Sequence, residues 1–215
     1  MTDNLSPALV RRLPQYFRAL IKFYSSGKER ISSEELASEL GLVPSQVRTD
    51  IKALGCTGQR SYGYGIPALY KKIADILQLS DKYSAVIVGS CNVVCAIAQT
   101  EIFTKRGIKL TAVFPEENRH MPPEFSEKAL PFNSFCDYCL ENRPNIIILG
   151  GEGENAKKAF ECIESTAPKT GYRPEIWNFT SDDFASDKLT VKNIHLSDYL
   201  MLLCYDIGKS DSGQK

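Results

Sequence analysis

The chain is poor in the groups from which many catalytic and metal centres are built. Its 215 residues hold two histidines, His120 and His195, and neither stands at a recognisable spacing from a nucleophile or a carboxylate. That excludes a histidine-based triad and a histidine-rich metal site, so no catalytic residue and no metal ligand is assigned. There is no run of about 18 uninterrupted apolar residues, which excludes an ordinary membrane-spanning helix. The opening segment MTDNLSPALVRR lacks the apolar core of a secretion signal, so the expected setting is cytoplasmic, with no membrane partner. The seven cysteines are odd in number and scattered through apolar stretches, unlike the dense framework of a small secreted domain. Reduced thiols are expected.

Net charge is also missing, since 26 Lys and Arg balance 26 Asp and Glu. The balance hides an asymmetry. Residues 1 to 75 carry 11 basic against 7 acidic side chains, an excess of four, and the remainder carries the opposite excess. A basic N-terminal third suits contact with phosphates, provided a fold presents it.

That third reads as short helices. Leu13, Phe17, Leu20, Ile21 and Tyr24 recur at helical spacing in RRLPQYFRALIKFY, predicting an amphipathic helix kinked or restarted at Pro14. Ser32 and Glu35 form a capping box ahead of Leu36, Ala37 and Leu40, and Gly41 is placed to end that helix. Pro44 opens a third helix, with Val47, Ile51 and Leu54 turned inward before Gly55. Two short helices about so tight a turn predict helix-turn-helix. The outward residues Ser45, Gln46, Arg48, Thr49 and Lys52 can donate to phosphates and base edges. GCTGQRSYGYG then predicts a glycine-rich ribbon, or wing, with Arg60 at its tip.

Beyond a further helix, IPALYKKIADILQL, the pattern changes to strands alternating with helices. SAVIVG is a buried β-branched strand ending at Gly89, and IKLTAVF (108 to 114), NIIILG (145 to 150), EIWNF (175 to 179) and LTVKNI (189 to 194) follow. Such alternation predicts an α/β, Rossmann-like, mainly parallel sheet that binds ligands at the carboxyl ends of its strands. A dinucleotide fingerprint wants glycine at three places, which here read Gly89, Cys91 and Val94; where an acid would hold a ribose, the second strand ends Val113-Phe114-Pro115, before Glu116 and Glu117. Gly150, Gly151 and Gly153 form a second glycine-rich turn able to hold an anion, although Glu152 and Glu154 oppose it. Cys91, at the start of a helix with Cys95 one turn on, is a candidate reactive thiol, and Cys136 and Cys139 have the spacing of a redox pair.

Gln46-Val47-Arg48-x-Asp50-Ile51, with Gly55, Gly58, Arg60, Gly63 and Tyr64, resembles the recognition helix and wing of Rex, the bacterial redox-sensing repressors that leave their operator when NADH binds. The resemblance extends through Arg11-Arg12-Leu13-Pro14, Arg18, Gly89, Asn92, Asn178-Phe179 and Asn193, nearly the full chain. It implies a homodimer on a palindromic double-stranded DNA operator, contacted through Ser45, Gln46, Arg48, Lys52 and Arg60. It implies a winged helix at 1–80, a sensor domain at 81–195, and a dimerisation helix with polar tail at 196–215 that is swapped into the partner. An NAD(H) site would involve Gly89, Ser90, Cys91, Asn92, Val93, Gly150 and Gly151, with a switch at Arg18, Thr100 and His195. Against the family pattern, Cys91 and Val94 replace glycines, Pro115 the ribose acid, Thr100 a tyrosine and His195 an aspartate. The expectation is a repressor whose NADH sensing is weakened or lost. Its alternatives are an intact NAD(H)-responsive Rex and a nicotinamide-dependent oxidoreductase.

Overall fold

The computed structural model describes residues 5–56, 63–79, 82–89, 103, 107–116, 123–151 and 154–212, and divides the chain into a unit at Met1–Asp81 and another at Lys82–Lys215.

In the first unit, α1 (Pro7–Ser25) begins where Ser6 Oγ accepts the Leu9 amide and proline occupies the first turn. Pro14 lies inside this helix without ending it, so the predicted restart does not occur; the helix runs through because its buried face is long enough to hold it. That face consists of Leu9, Leu13, Tyr16, Phe17, Ala19 and Leu20. Ile21 and Tyr24, expected to join it, are 40% and 59% exposed. The stripe has rotated past them, as a period of 3.6 residues requires. The strand β1 (Arg30–Ile31) leads to α2 (Ser33–Leu40), which has the capping box at Ser32 and Glu35 and a left-handed Gly41. Next come α3 (Pro44–Ala53), β2 (Tyr64–Gly65), antiparallel to β1, and α4 (Ile66–Ile76). Val47, Ile51 and Leu54 are buried as predicted, against α1, α2 and α4. Gly63 has φ +67 and a Cβ there would lie 2.4 Å from the Ile31 carbonyl oxygen, so the chain entering β2 needs glycine. The wing tip, including Arg60, lies outside the described residues.

The second unit is a five-stranded parallel sheet in the order β4-β3-β5-β6-β7, with β3 Tyr83–Gly89, β4 Ile108–Phe114, β5 Ile146–Gly150, β6 Glu175–Asn178 and β7 Thr190–Asn193. The described helices are α5 (Pro123–Ser126), α6 (Phe135–Asn142), α7 (Glu154–Thr166) and α8 (Leu196–Ser212). The central strand β3 is apolar on both faces, as a covered parallel sheet demands. Val86 and Val88 join Phe114, Phe135, Leu149 and Phe160 on one side, and Ala85 and Ile87 join Phe103, Val113 and Ile148 on the other.

The expectation of reduced thiols is corrected here. Cys136 and Cys162 are joined as a disulfide between α6 and α7, with Cα atoms 6.3 Å apart, so not all thiols are reduced and Cys136 does not pair with Cys139. One helical turn separates the two α6 cysteines. Cys139 points into the core, where burial pushes its thiol up to about 12, while Cys136 meets α7. Among the described residues no helix is long and apolar enough to cross a membrane.

Candidate functional site

The first candidate surface is the outer face of α3. Ser45, Arg48, Thr49 and Lys52 are exposed and Gln46 is half-buried, while Val47 and Ile51 on the opposite face are fully buried. The apolar stripe thus fixes which residues look outward. Arg48 is not idle: its guanidinium donates to Ser33 Oγ and to Glu34 Oε1, both at 3.1 Å, on the first turn of α2. Thr49 Oγ1 turns back to the Ser45 carbonyl at 3.0 Å.

Beneath this face lies a group that sequence reading passed over as a site. Asp50 falls between Val47 and Ile51, in the apolar stripe, and is 3% exposed. Arg12 on α1 grips its carboxylate with two hydrogen bonds, Nε to Oδ2 at 2.9 Å and a terminal nitrogen to Oδ1 at 2.8 Å. Tyr16 Oη donates at 3.0 Å and Gln46 Nε2 at 2.7 Å. Burial opposes ionisation of Asp50, but the bonds from Arg12, Gln46 and Tyr16 outweigh it and hold the carboxyl below its ordinary value. Burial, followed by the bond to this carboxylate, raises the Tyr16 phenol. An acid in the inward stripe of a helix was the available signal; its partner 38 residues away was not.

The second candidate is the crevice at the carboxyl edge of the sheet. Strand order reverses at β3, with β4 on one side and β5 on the other, so the ends of β3 and β5 form a switch point. Gly89 and Gly150 face each other there in register. Gly89 has φ +100 and a Cβ on it would stand 2.0 Å from the Gly150 oxygen, so the strand pair itself demands this glycine. Gly151 follows with φ +92. At the end of β6, buried Asn178 donates to Asn193 Oδ1 at 2.9 Å and to the Asp182 carbonyl at 2.7 Å, and its Oδ1 accepts from the Thr180 hydroxyl at 2.8 Å and amide at 3.0 Å. Glu154 is held by Lys158 at 2.6 Å, which tempers its opposition to an anion at the turn.

The glycine backbone of this crevice fits a dinucleotide. The end of β4 does not: Pro115 has no carboxylate for a ribose, and half-buried Glu116 comes one place later. Ser90, Cys91, Asn92, Val93, Thr100, Cys95 and His120 lie outside the described residues. Of the expected switch, Arg18 is exposed on α1 beside Gln15, Lys22 and Glu39. His195, just after β7, places Nε2 2.8 Å from Asp183 Oδ1, and that bond raises its pKa above the ordinary value.

The final helix, α8, is unlike every other element. Each residue from 196 to 209 is exposed, Leu200, Met201, Leu202 and Leu203 by 57 to 63%.

The comparisons agree over both units. The family model "Putative DNA-binding protein N-terminus" matches residues 4–51. The redox-sensing transcriptional repressor Rex of Clostridium botulinum is 32% identical over 210 residues, covering 97% of this chain and 98% of the relative. The repressor of the same name from Clostridium perfringens is 33% identical over 210 residues, covering 97% of each. The chain belongs to the Rex family. Among solved structures, RSP in complex with β-NAD+ and operator DNA superposes with a TM-score of 0.82 at 31% identity, covering 98% of this chain and 95% of that one. RSP in complex with β-NADH gives 0.80 at 29% identity, covering 98% of each. These relatives are repressors rather than enzymes, which sets aside the oxidoreductase reading, and the expected helix-turn-helix followed by a parallel sheet is the fold found.

Proposed function

We propose that this Rex-type repressor binds a palindromic operator as a homodimer and that its response to NADH is weakened or lost. The observation that carries the DNA reading is the face of α3, where Ser45, Arg48 and Lys52 stand exposed beside Gln46 in a basic unit. Arg48 and Lys52 supply cations for phosphates or guanine edges, Ser45 supplies a shorter hydroxyl and Gln46 an amide, and the family resemblance adds Arg60 as a further cation. The exposed apolar surface all round α8 supports the homodimer, because such a helix is stable in water only when a partner covers it. A second copy of the chain is that partner.

The sensor half supports less. NADH, when bound, would supply a charge and shape difference from NAD+ that the protein converts into release of DNA. Gly89, Gly150 and Gly151 would hold its pyrophosphate through backbone amides. Pro115 removes the ribose acceptor, Cys91 and Val94 add bulk at fingerprint places, and His195 carries a bond to Asp183 where the family pattern has an aspartate. Titration of the operator complex with NADH, alongside calorimetry, tests this. Release should need concentrations well above those that displace an NADH-responsive Rex; tight binding with full release would overturn the sensing half and leave operator binding standing.

A further inference from the structure

We infer that Asp50 is a specificity-determining positioning residue: held by Arg12, its carboxylate obliges the Gln46 side chain to face it with nitrogen and so to offer its carbonyl oxygen to a base. The inference rests on the reading of Gln46 as a base contact. An amide side chain can present its two ends in either order, and exchanging them turns a reader of one base into a reader of another. Here the order is imposed. An ionised carboxylate only accepts hydrogen bonds, so the group 2.7 Å from Asp50 Oδ1 must be the Gln46 NH2. The carboxylate is itself fixed: both oxygens are engaged by Arg12, and Tyr16 holds Oδ2, with Asp50 and Tyr16 themselves buried. Gln46 spans one turn of α3, so its anchor and its reading end ride on the same rigid helix.

What remains of Gln46 for DNA is an acceptor, Oε1, and the second N–H of Nε2. Adenine offers the complement in the major groove, an N6 amine beside the N7 acceptor. Guanine offers two acceptors, N7 and O6, and so meets Oε1 with repulsion. The chain should therefore prefer A·T over G·C at one position of each half-site.

The test uses the intact protein and a synthetic operator. Each base pair is exchanged in turn, and at the position showing the preference adenine is replaced by purine, which lacks the N6 amine, or by 7-deazaadenine, which lacks N7. Wild-type protein should lose about 10-fold in affinity on the A·T to G·C exchange and several-fold with purine. Gln46→Ala should abolish both effects. Asp50→Asn, whose amide can donate as well as accept, should reduce the adenine-to-guanine preference to within about 2-fold. If Asp50→Asn lowers affinity for all sequences alike and keeps the preference, Asp50 only supports the fold and the inference is overturned. The wild-type measurements need no variant to fold: a preference lost with 7-deazaadenine but indifferent to the N6 amine means that the amide faces the other way. Failure of the underlying reading looks different, since Gln46→Ala would then leave every position of the operator unchanged.

Discussion

The two units gather their functional groups in different ways. In the helical unit Ser45, Gln46, Arg48 and Lys52 come from ten consecutive residues of one helix, whose apolar stripe turns them outward together. In the sheet unit the crevice is assembled from Gly89, Gly150 and Asn178, which are distant in sequence and meet only because β3, β5 and β6 lie side by side. A site on one helix tolerates change elsewhere as long as the stripe persists. A crevice between strand ends depends on every strand that forms it, and each contributing turn can drift separately. Under the proposed function, this contrast is how a chain could keep its reading helix while its sensor crevice changes.

The largest expected effect tests whether the reading helix is sufficient by itself. Leu200→Asp with Leu203→Asp places two charges on the exposed apolar face of α8 without touching a buried residue. Loss of the dimer should lower operator affinity by roughly 10³-fold, because each half-site contact then stands alone. Sedimentation and gel shift read the two quantities separately; full affinity in a monomer would remove the need for a partner. Next in size, Gly89→Ala forces a Cβ against the Gly150 oxygen in a left-handed backbone and should destabilise the sheet by about 3 kcal/mol. Gly41→Ala, left-handed as well but with open space around it, should cost only about 1 kcal/mol. Equal losses in denaturant titrations would mean that the strand ends are not in close contact.

Much of this was legible in residue order. The capping box at Ser32 and Glu35, the inward Val47, Ile51 and Leu54, and the strand from 108 to 114 are local signals, and all are found where read. Ile21 and Tyr24 misled because an apolar side chain at helical spacing carries no statement of where the stripe leaves the core. A restart at Pro14 is not found because a helix with a broad buried face tolerates the loss of one hydrogen bond. The Arg12–Asp50 pair and the Cys136–Cys162 bridge span 38 and 26 residues, and only the packing of helices brings their partners together. The close approach of Gly89 to the Gly150 oxygen, 61 residues on, is likewise visible only once β3 and β5 are paired.

A smaller effect probes the reading face. Arg48 spends its free state on Ser33 and Glu34, a solvent-exposed contact of little net worth. Moving it onto DNA therefore costs little, and Arg48→Ala should weaken operator binding by roughly 1 to 2 kcal/mol, the lower part of the range for a guanidinium on a base. Glu34→Gln should act in the opposite direction, strengthening binding a few-fold, since it frees Arg48 and removes an anion from the phosphate-facing side. Binding that weakens in both variants would show that the Arg48–Glu34 pair is held intact on DNA.

The smallest effect belongs to the sensor half and concerns His195. The hydrogen bond that His195 donates to Asp183 comes first among the causes that lift its pKa, and the nearby Asp198 adds to it. A histidine whose folded pKa exceeds its ordinary 6.5 stabilises the fold below that value, and the contribution disappears as pH rises through the raised folded pKa. The sheet unit should thus become slightly less stable as pH rises from the ordinary histidine value of 6.5 through the raised folded one, and His195→Gln should flatten that slope. The helical unit provides the contrast, because the depressed pKa of Asp50 makes its contribution present above the ordinary carboxyl value of 3.8 and lost only in acid below it. Hydrogen exchange followed across that range should show protection in β7 and the loop at Asp183 changing near neutrality while α1 and α3 stay constant. A slope that persists in His195→Gln would assign the titration to another group.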